Sequence, residues 1–319
     1  MSQRLRIVML GTGDFAFPTF QALHGSSHEV VALVTQPDRP QGRKKLLVPS
    51  RIRLEAEALG VPVLQPESIN APEGLELVRN LKPDLLVTAA YGQILSAELL
   101  SIPAMGGINL HGSVLPKYRG AAPVARAIQN GEVESGVTVI RMTPKIDAGG
   151  MIALARTPID PDETAGDLET RLAAIGAPLV VETIERLLDG SASVIPQDKS
   201  QVTKAPKLSK DDGVIDWTRS ARAIHDHVRA MQPRPIASTL WRRSDASDEP
   251  LRLIVHESAV ESETSGEPGL VLEASGDRLI VGAGEGAVRL LKIQLVGKSP
   301  MSAADFLRGR RILGDRLGD

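Results

Sequence analysis

From Leu5 to about Asp189 the chain alternates short β-branched or apolar runs with stretches of helical period, and this alternation limits the fold more than any other feature. Strands joined by helix-length connections return to the same end of a sheet, so they run parallel. Strand candidates are Arg6 to Leu10, Glu29 to Thr35, Leu85 to Ala89, Ile108 to Leu110 and Gly136 to Met142. Helical stretches include Ser50 to Leu59 and Thr164 to Leu188, the second followed by Asp189-Gly190 with the glycine placed as a stop. The pattern predicts an α/β domain over residues 1–190, doubly wound on a mostly parallel open sheet of Rossmann-like type. Such sheets bind ligands at the carboxyl ends of their strands, so the loops there should carry the chemistry.

After Gly190 the texture changes. Residues 191–210 are polar, include two prolines and hold neither period for long, which marks a linker. Residues 211–319 open with a helical stretch from Ser220 to Met231. Short alternating runs follow at Leu251 to Val260, Leu270 to Glu273, Arg278 to Val281 and Ala287 to Ile293, separated by glycine-rich turns. That spacing predicts a small C-terminal β-barrel.

With 319 residues, 42% of them hydrophobic, the chain is long enough for two domains with real cores. It has no cysteine, which excludes a disulfide framework, a cysteine-based zinc site and a thiol nucleophile. The apolar run Ile7 to Leu10 is too short for a secretory leader or a membrane span, so a cytoplasmic location is expected. The net charge of -2 argues against a wholly basic nucleic-acid binder, yet the charge is unevenly spread. Six basic residues and no acid lie between Arg39 and Arg53, and Arg308, Arg310, Arg311 and Arg316 cluster near the C-terminus. These are either solvated surfaces or contacts for a phosphate backbone.

Three segments carry candidate chemistry. Gly11-Thr12-Gly13-Asp14-Phe15-Ala16 follows a strand, precedes a helix and fits a dinucleotide fingerprint, with Asp38 downstream. Taken alone it points to an NAD-dependent oxidoreductase, although Asp38 lies in a proline-containing loop and not at a strand tip. The second segment is NLHGSVLPKYRGAAP, Asn109 to Pro123. In a strand, Asn109 and His111 leave the same face about 7 Å apart and place an amide donor beside an imidazole. Ser113, Val114, Leu115 and Pro116 then form an expected extended loop whose backbone can pair with a flat heterocycle. The third is Pro144 to Gly150, where Asp147 is either a turn former or the carboxylate that orients His111 and adjusts its proton affinity. An acid, an imidazole and an amide donor together suit acyl transfer to an amine. The other histidines are scattered: His225 and His227 are two apart on a helix, hence on divergent faces, and no metal site is indicated.

These segments together resemble the methionyl-tRNA formyltransferase family almost end to end. The likeness rests on GTGDFA at Gly11 to Ala16, TQPDRPQGRKK at Thr35 to Lys45, the Asn109 to Pro123 segment, and IDAGGM at Ile146 to Met151. KLS at Lys207 to Ser209, IDW at Ile215 to Trp217 and the arginine-rich terminus complete it. The resemblance implies a formyltransferase domain followed by an OB-like barrel, transfer of a formyl group from 10-formyltetrahydrofolate to initiator methionyl-tRNA, and a monomer. It implies that Asn109, His111 and Asp147 are catalytic and that Ser113 to Pro116 contact the folate donor. It further implies that Arg43, Lys44 and Lys45 enter the tRNA acceptor stem, while the C-terminal domain holds the tRNA. Two departures stand out: Gly13 replaces a usual proline, and the basic loop is one residue shorter than the common GRGKK form. The alternative within the same chemistry is a formyltransferase acting on an amino-sugar nucleotide.

Overall fold

The computed structural model describes residues 4–41, 46–243 and 249–318. The chain divides into two compact units. One comprises residues 1–123, 134–158 and 169–206; the other comprises residues 124–133, 159–168 and 207–319.

In chain order the elements up to residue 206 are β1 (Arg6–Gly11), α1 (Phe17–His24), β2 (Glu29–Val34), β3 (Pro40–Gln41), β4 (Leu46–Leu47), α2 (Arg51–Ala58), β5 (Val63–Leu64), α3 (Pro72–Leu81) and β6 (Leu85–Ala89). They continue with α4 (Ala97–Leu100), β7 (Gly107–His111), β8 (Arg119–Gly120), α5 (Pro123–Gln129), β9 (Glu134–Arg141), β10 (Met151–Pro158), α6 (Ala165–Leu188) and β11 (Lys204–Ala205). Seven strands form one sheet in the order β10-β9-β7-β6-β1-β2-β5. From β5 to β7 neighbours are parallel, whereas β9 and β10 add antiparallel strands at one edge. The chain leaves β1 toward β2 and β5, then crosses to place β6 on β1's other side. That reversal is a topological switch point, and the ends of β1, β6 and β7 open onto it.

The central strands are apolar on both faces because helices cover both faces of a parallel sheet. Val8, Leu10, Val31, Val34, Leu86 and Val87 are all buried, and the first five pack with Ile69, Leu75 and Val78. Each such side chain contributes about 1.5–3 kcal/mol through burial. At Gly176 of α6 a Cβ would lie 2.5 Å from the Leu110 side chain, so glycine lets this helix press directly on β7. Leu110 faces the helix, which leaves Asn109 and His111 on the opposite face of the strand.

The stretch 191–206 carries structure, unlike the featureless linker expected from its composition. Ile195 bridges Met151, and β11 pairs in parallel with β8 through Lys204↔Arg119 and Ala205↔Gly120. Its order comes from bonds to distant residues and not from an internal period, so no periodicity announces it.

The second unit contains α7 (Ala221–Ala230), β12 (Ala237–Arg242), β13 (Leu251–Glu261), β14 (Val271–Ser275), β15 (Arg278–Gly282), β16 (Ala287–Leu295), β17 (Met301–Ser302), α8 (Ala303–Leu307) and β18 (Arg316–Leu317). Its antiparallel strands run in the order β14-β15-β16-β13-β12-β18. Leu317 N–H donates to Gly269 C=O at 2.7 Å and Val271 N–H to Asp315 C=O at 3.0 Å, which brings the last strand back beside β14. The sheet is thereby a nearly closed barrel, as the spacing of short runs predicted. Gly269 at φ +79° is needed at this closure, since a Cβ there would strike the Leu317 carbonyl.

Candidate active site

The loops at the switch point are tied to one another. The hydroxyls of Thr12 and Thr35 lie 3.1 Å apart, Gln36 N–H donates to Thr12 Oγ1 at 3.1 Å, and the Gln36 amide donates to the Tyr91 carbonyl at 3.2 Å. Burial pushes the Tyr91 phenol up to about 12, so it stays protonated across the working range.

Asn109 and His111 project beside these loops from β7. Thr88 is the register partner of Asn109 on β6 and donates its hydroxyl to Asn109 Oδ1 at 2.7 Å. The carboxamide is thus oriented with its oxygen engaged and its Nδ2 hydrogens offered as donors; no described residue accepts them. His111 is buried, with Nε2 2.9 Å from the Tyr118 carbonyl. A carbonyl only accepts, so Nε2 carries a proton. Nδ1 faces Asp147 Oδ2 at 3.6 Å, an ion-pair separation longer than a hydrogen bond.

Asp147 adopts φ +46°, a left-handed conformation that a short polar side chain tolerates better than most. Its carboxylate accepts the Gly120 N–H at 2.8 Å. The main-chain carbonyls of Asp147 and Gly149 both accept from the Gln197 amide, at 2.8 and 2.7 Å. The structure therefore brings Asn109, His111 and Asp147 to one site. Thr88, Tyr118, Gly120 and Gln197 hold the trio in place, and no sequence period pointed to any of them.

Ser113 to Pro116 form a bend and not the extended loop expected. The Ser113 hydroxyl donates to Lys117 C=O at 2.7 Å, while Thr138 Oγ1 donates to Ser113 C=O at 2.7 Å and accepts from Leu115 N–H at 3.1 Å. Those two backbone groups are committed internally. Ser113 and Leu115 are buried, leaving Val114 and Pro116 partly exposed for a ligand.

Arg43, Lys44 and Lys45 lie outside the described residues, between the antiparallel pair β3 and β4. Elsewhere in the first basic run the cations are partly used within the protein. Arg51 stacks over Phe17 at 3.9 Å, and Arg53 pairs with Asp38 and with Glu57 at 2.7 Å. Asp38 is thereby taken up by Arg53 and by Gln65, which removes the acid a dinucleotide ribose would need. In the C-terminal run Arg308 pairs with Asp305, Arg316 meets Glu267 at 2.5 Å, and Arg310 stacks on Phe306 at 4.9 Å. Among the described residues no helix is long and apolar enough to cross a membrane.

A strand-borne amide and imidazole beside a loop carboxylate, at the switch point of a doubly wound sheet, is a site arranged for group transfer to a nucleophile. The formyl transferase family model matches residues 5–184, and the model of the formyl transferase C-terminal domain matches residues 207–311. Both units of the fold are therefore those of a formyl transferase.

Methionyl-tRNA formyltransferase of Moorella thermoacetica is 42% identical over 315 residues, covering 98% of this chain and 99% of the relative. That of Pseudomonas syringae pv. tomato is 44% identical over 311 residues, covering 98% and 96%. That of Geobacter sulfurreducens is 42% identical over 316 residues, covering 99% and 97%. The chain belongs to the methionyl-tRNA formyltransferase family. The fold is shared with WlaRD, a sugar 3N-formyl transferase solved in the presence of dTDP and 5-N-formyl-THF (TM-score 0.67, 19% identity, 93% of this chain and 100% of that one). It is also shared with HypX of Aquifex aeolicus in complex with tetrahydrofolic acid, of which it matches 47% (TM-score 0.61, 20% identity, 96% of this chain).

Proposed function

We propose that this chain transfers the formyl group of 10-formyltetrahydrofolate to the α-amino group of methionyl initiator tRNA, with Asn109, His111 and Asp147 at the reacting centre. The observation that carries the assignment is the Asn109 amide, its oxygen held by Thr88 and its hydrogens accepted by no described residue, beside a histidine that faces a carboxylate. The amine attacks the formyl carbon, a nitrogen–carbon bond forms, and the former carbonyl oxygen becomes an oxyanion. Asn109 Nδ2–H donates to that oxygen, which is worth about 2.7–4 kcal/mol for a preorganised donor. The amine's proton passes to the folate nitrogen as its bond to the formyl carbon breaks. Nδ1 of His111 is the ring atom with room to relay it, because Nε2 is engaged by Tyr118, and the Asp147 carboxylate balances the charge of the imidazolium.

Val114 and Pro116, with Ser113 and Leu115 behind them, contact the folate donor in this scheme. Arg43, Lys44 and Lys45 engage the phosphates of the acceptor stem, and the barrel of residues 211–319 holds the tRNA. The protein acts as a monomer in the cytoplasm. Arg43→Ala should weaken tRNA binding and reduce the slope of log affinity against log salt by about one.

The test incubates the purified protein with 10-formyltetrahydrofolate and methionyl initiator tRNA, with uncharged tRNA and a panel of amino-sugar nucleotides in parallel. Formyl-methionyl-tRNA formed only from the charged initiator is the expected result. Formylation of an amino-sugar nucleotide in its place would keep the chemistry and replace the acceptor.

A further inference from the structure

Gln197 stands in the polar stretch that the sequence marks as a linker, yet its side chain is fully engaged. Its Nε2 hydrogens go to two main-chain carbonyls of one loop, Asp147 at 2.8 Å and Gly149 at 2.7 Å. Its Oε1 receives a two-pronged donation from Arg119, Nε at 2.9 Å and Nη2 at 2.6 Å. That fork fixes which end of the amide is oxygen, and so fixes the two donations to the loop. The loop needs such support, because Asp147 is held at φ +46° and a Cβ at Gly149 would run into the Arg141 carbonyl. Arg119 itself lies between Tyr118, whose carbonyl takes His111 Nε2, and Gly120, whose N–H binds the Asp147 carboxylate. One side chain thus spans the two segments that set the position of Asp147 relative to His111.

We propose that Gln197, oriented by Arg119, is a positioning residue for formyl transfer, holding the Asp147 carboxylate against His111 without touching substrate. This rests on the catalytic reading of Asp147 given above. The separation of 3.6 Å between Asp147 and Nδ1 has little tolerance, since displacements near 1 Å in such assemblies cost about a hundredfold in rate. The role also explains why a segment of no discernible period is ordered: Thr203 accepts from Tyr118 N–H at 2.8 Å, and its carbonyl accepts from Arg119 N–H at 2.9 Å, so the stretch is laced to the same tripeptide.

The test is a kinetic double-mutant cycle on the full chain, with kcat and both KM values read separately. Gln197→Met keeps the length of the side chain and removes all four bonds; Gln197→Asn, one methylene shorter, serves if the first variant does not fold. Either should lower kcat roughly tenfold to a hundredfold and move each KM by less than about twofold. In an Asp147→Asn background the same change should cost less than about twofold further, because the group it positions is already disabled. A Gln197 variant with near-normal kcat, or losses that simply multiply in the double variant, overturns the positioning role and leaves the catalytic reading intact. Near-normal turnover of Asp147→Asn would instead sink the catalytic reading itself.

Discussion

His111 and His225 are surrounded by the same kinds of group. Each is buried, each has a main-chain carbonyl at Nε2 (Tyr118 at 2.9 Å, Pro161 at 3.2 Å), and each faces an aspartate (Asp147 at 3.6 Å, Asp162 at 3.3 Å). What separates them is position. His111 ends a strand at the switch point of the parallel sheet, two residues from an amide whose hydrogens are unclaimed. His225 lies on α7 with Nδ1 held by Ser258 at 3.2 Å, so its second ring nitrogen is satisfied inside the fold. A histidine paired with a carboxylate is therefore no site by itself. The unspent donor beside it and its place in the topology make the difference.

The comparison can be broken most forcefully by deleting each ring in turn. His111→Ala should lower turnover by about 10²- to 10⁴-fold, the usual range for a positioned acid–base group, in addition to about 1–3 kcal/mol of stability for the Tyr118 carbonyl left unpaired. The same unit that holds His225 contains a buried ion pair, Asp226 with Arg229 at 2.9 Å, both side chains 4% exposed. Asp226→Ala should cost about 3–5 kcal/mol in denaturant unfolding by stranding a buried guanidinium, while the folded fraction keeps its kcat. His225→Ala should cost less, about 1–3 kcal/mol of stability for the partners left unpaired, and turnover should stay within about twofold.

The smallest expected effect belongs to His227. Burial holds its imidazole below the usual 6.5, only partly offset by the Gly213 carbonyl. The unfolded chain then binds the proton more readily than the folded one. Stability from this group is present above about pH 6.5 and is lost as the pH falls below it. His227→Gln should flatten that acid-side decline in an unfolding series from pH 7 to 5; an unchanged slope would place the pH dependence elsewhere.

The trio that the structure brings to one site was legible from the sequence in part, because two of its members obey a simple rule: residues two apart in a strand share a face. Asn109 and His111 do so on β7. Asp147 sits alone in an irregular loop, where the residues left it either a turn former or the orienting carboxylate, and likeness to a family, not any period, favoured the second. GTGDFA was legible as a strand-to-helix turn but ambiguous in meaning. The structure shows why: Gly11 is required by the closeness of Ala16, whereas a Cβ at Gly13 would meet nothing within 4 Å. One glycine serves packing and the other a left-handed backbone at φ +75°, and the spacing of glycines distinguishes neither. Gln197 and Thr203 could not be read at all, because their partners lie roughly 50 to 85 residues away and a lone polar side chain carries no periodic trace. In the barrel, the long strands β13 and β16 were readable, while β12 is set by its pairing with β13 and the short β18 by barrel closure.

The central claim is that the Asn109 amide stabilises charge that develops only during transfer. It is tested most directly by the single-turnover rate of Asn109→Ala at saturating methionyl initiator tRNA and 10-formyltetrahydrofolate, with tRNA affinity measured alongside. The account predicts a rate about 100- to 1000-fold below that of the unaltered protein and an affinity within about twofold of it. A near-normal rate, or a loss confined to tRNA affinity, would contradict it.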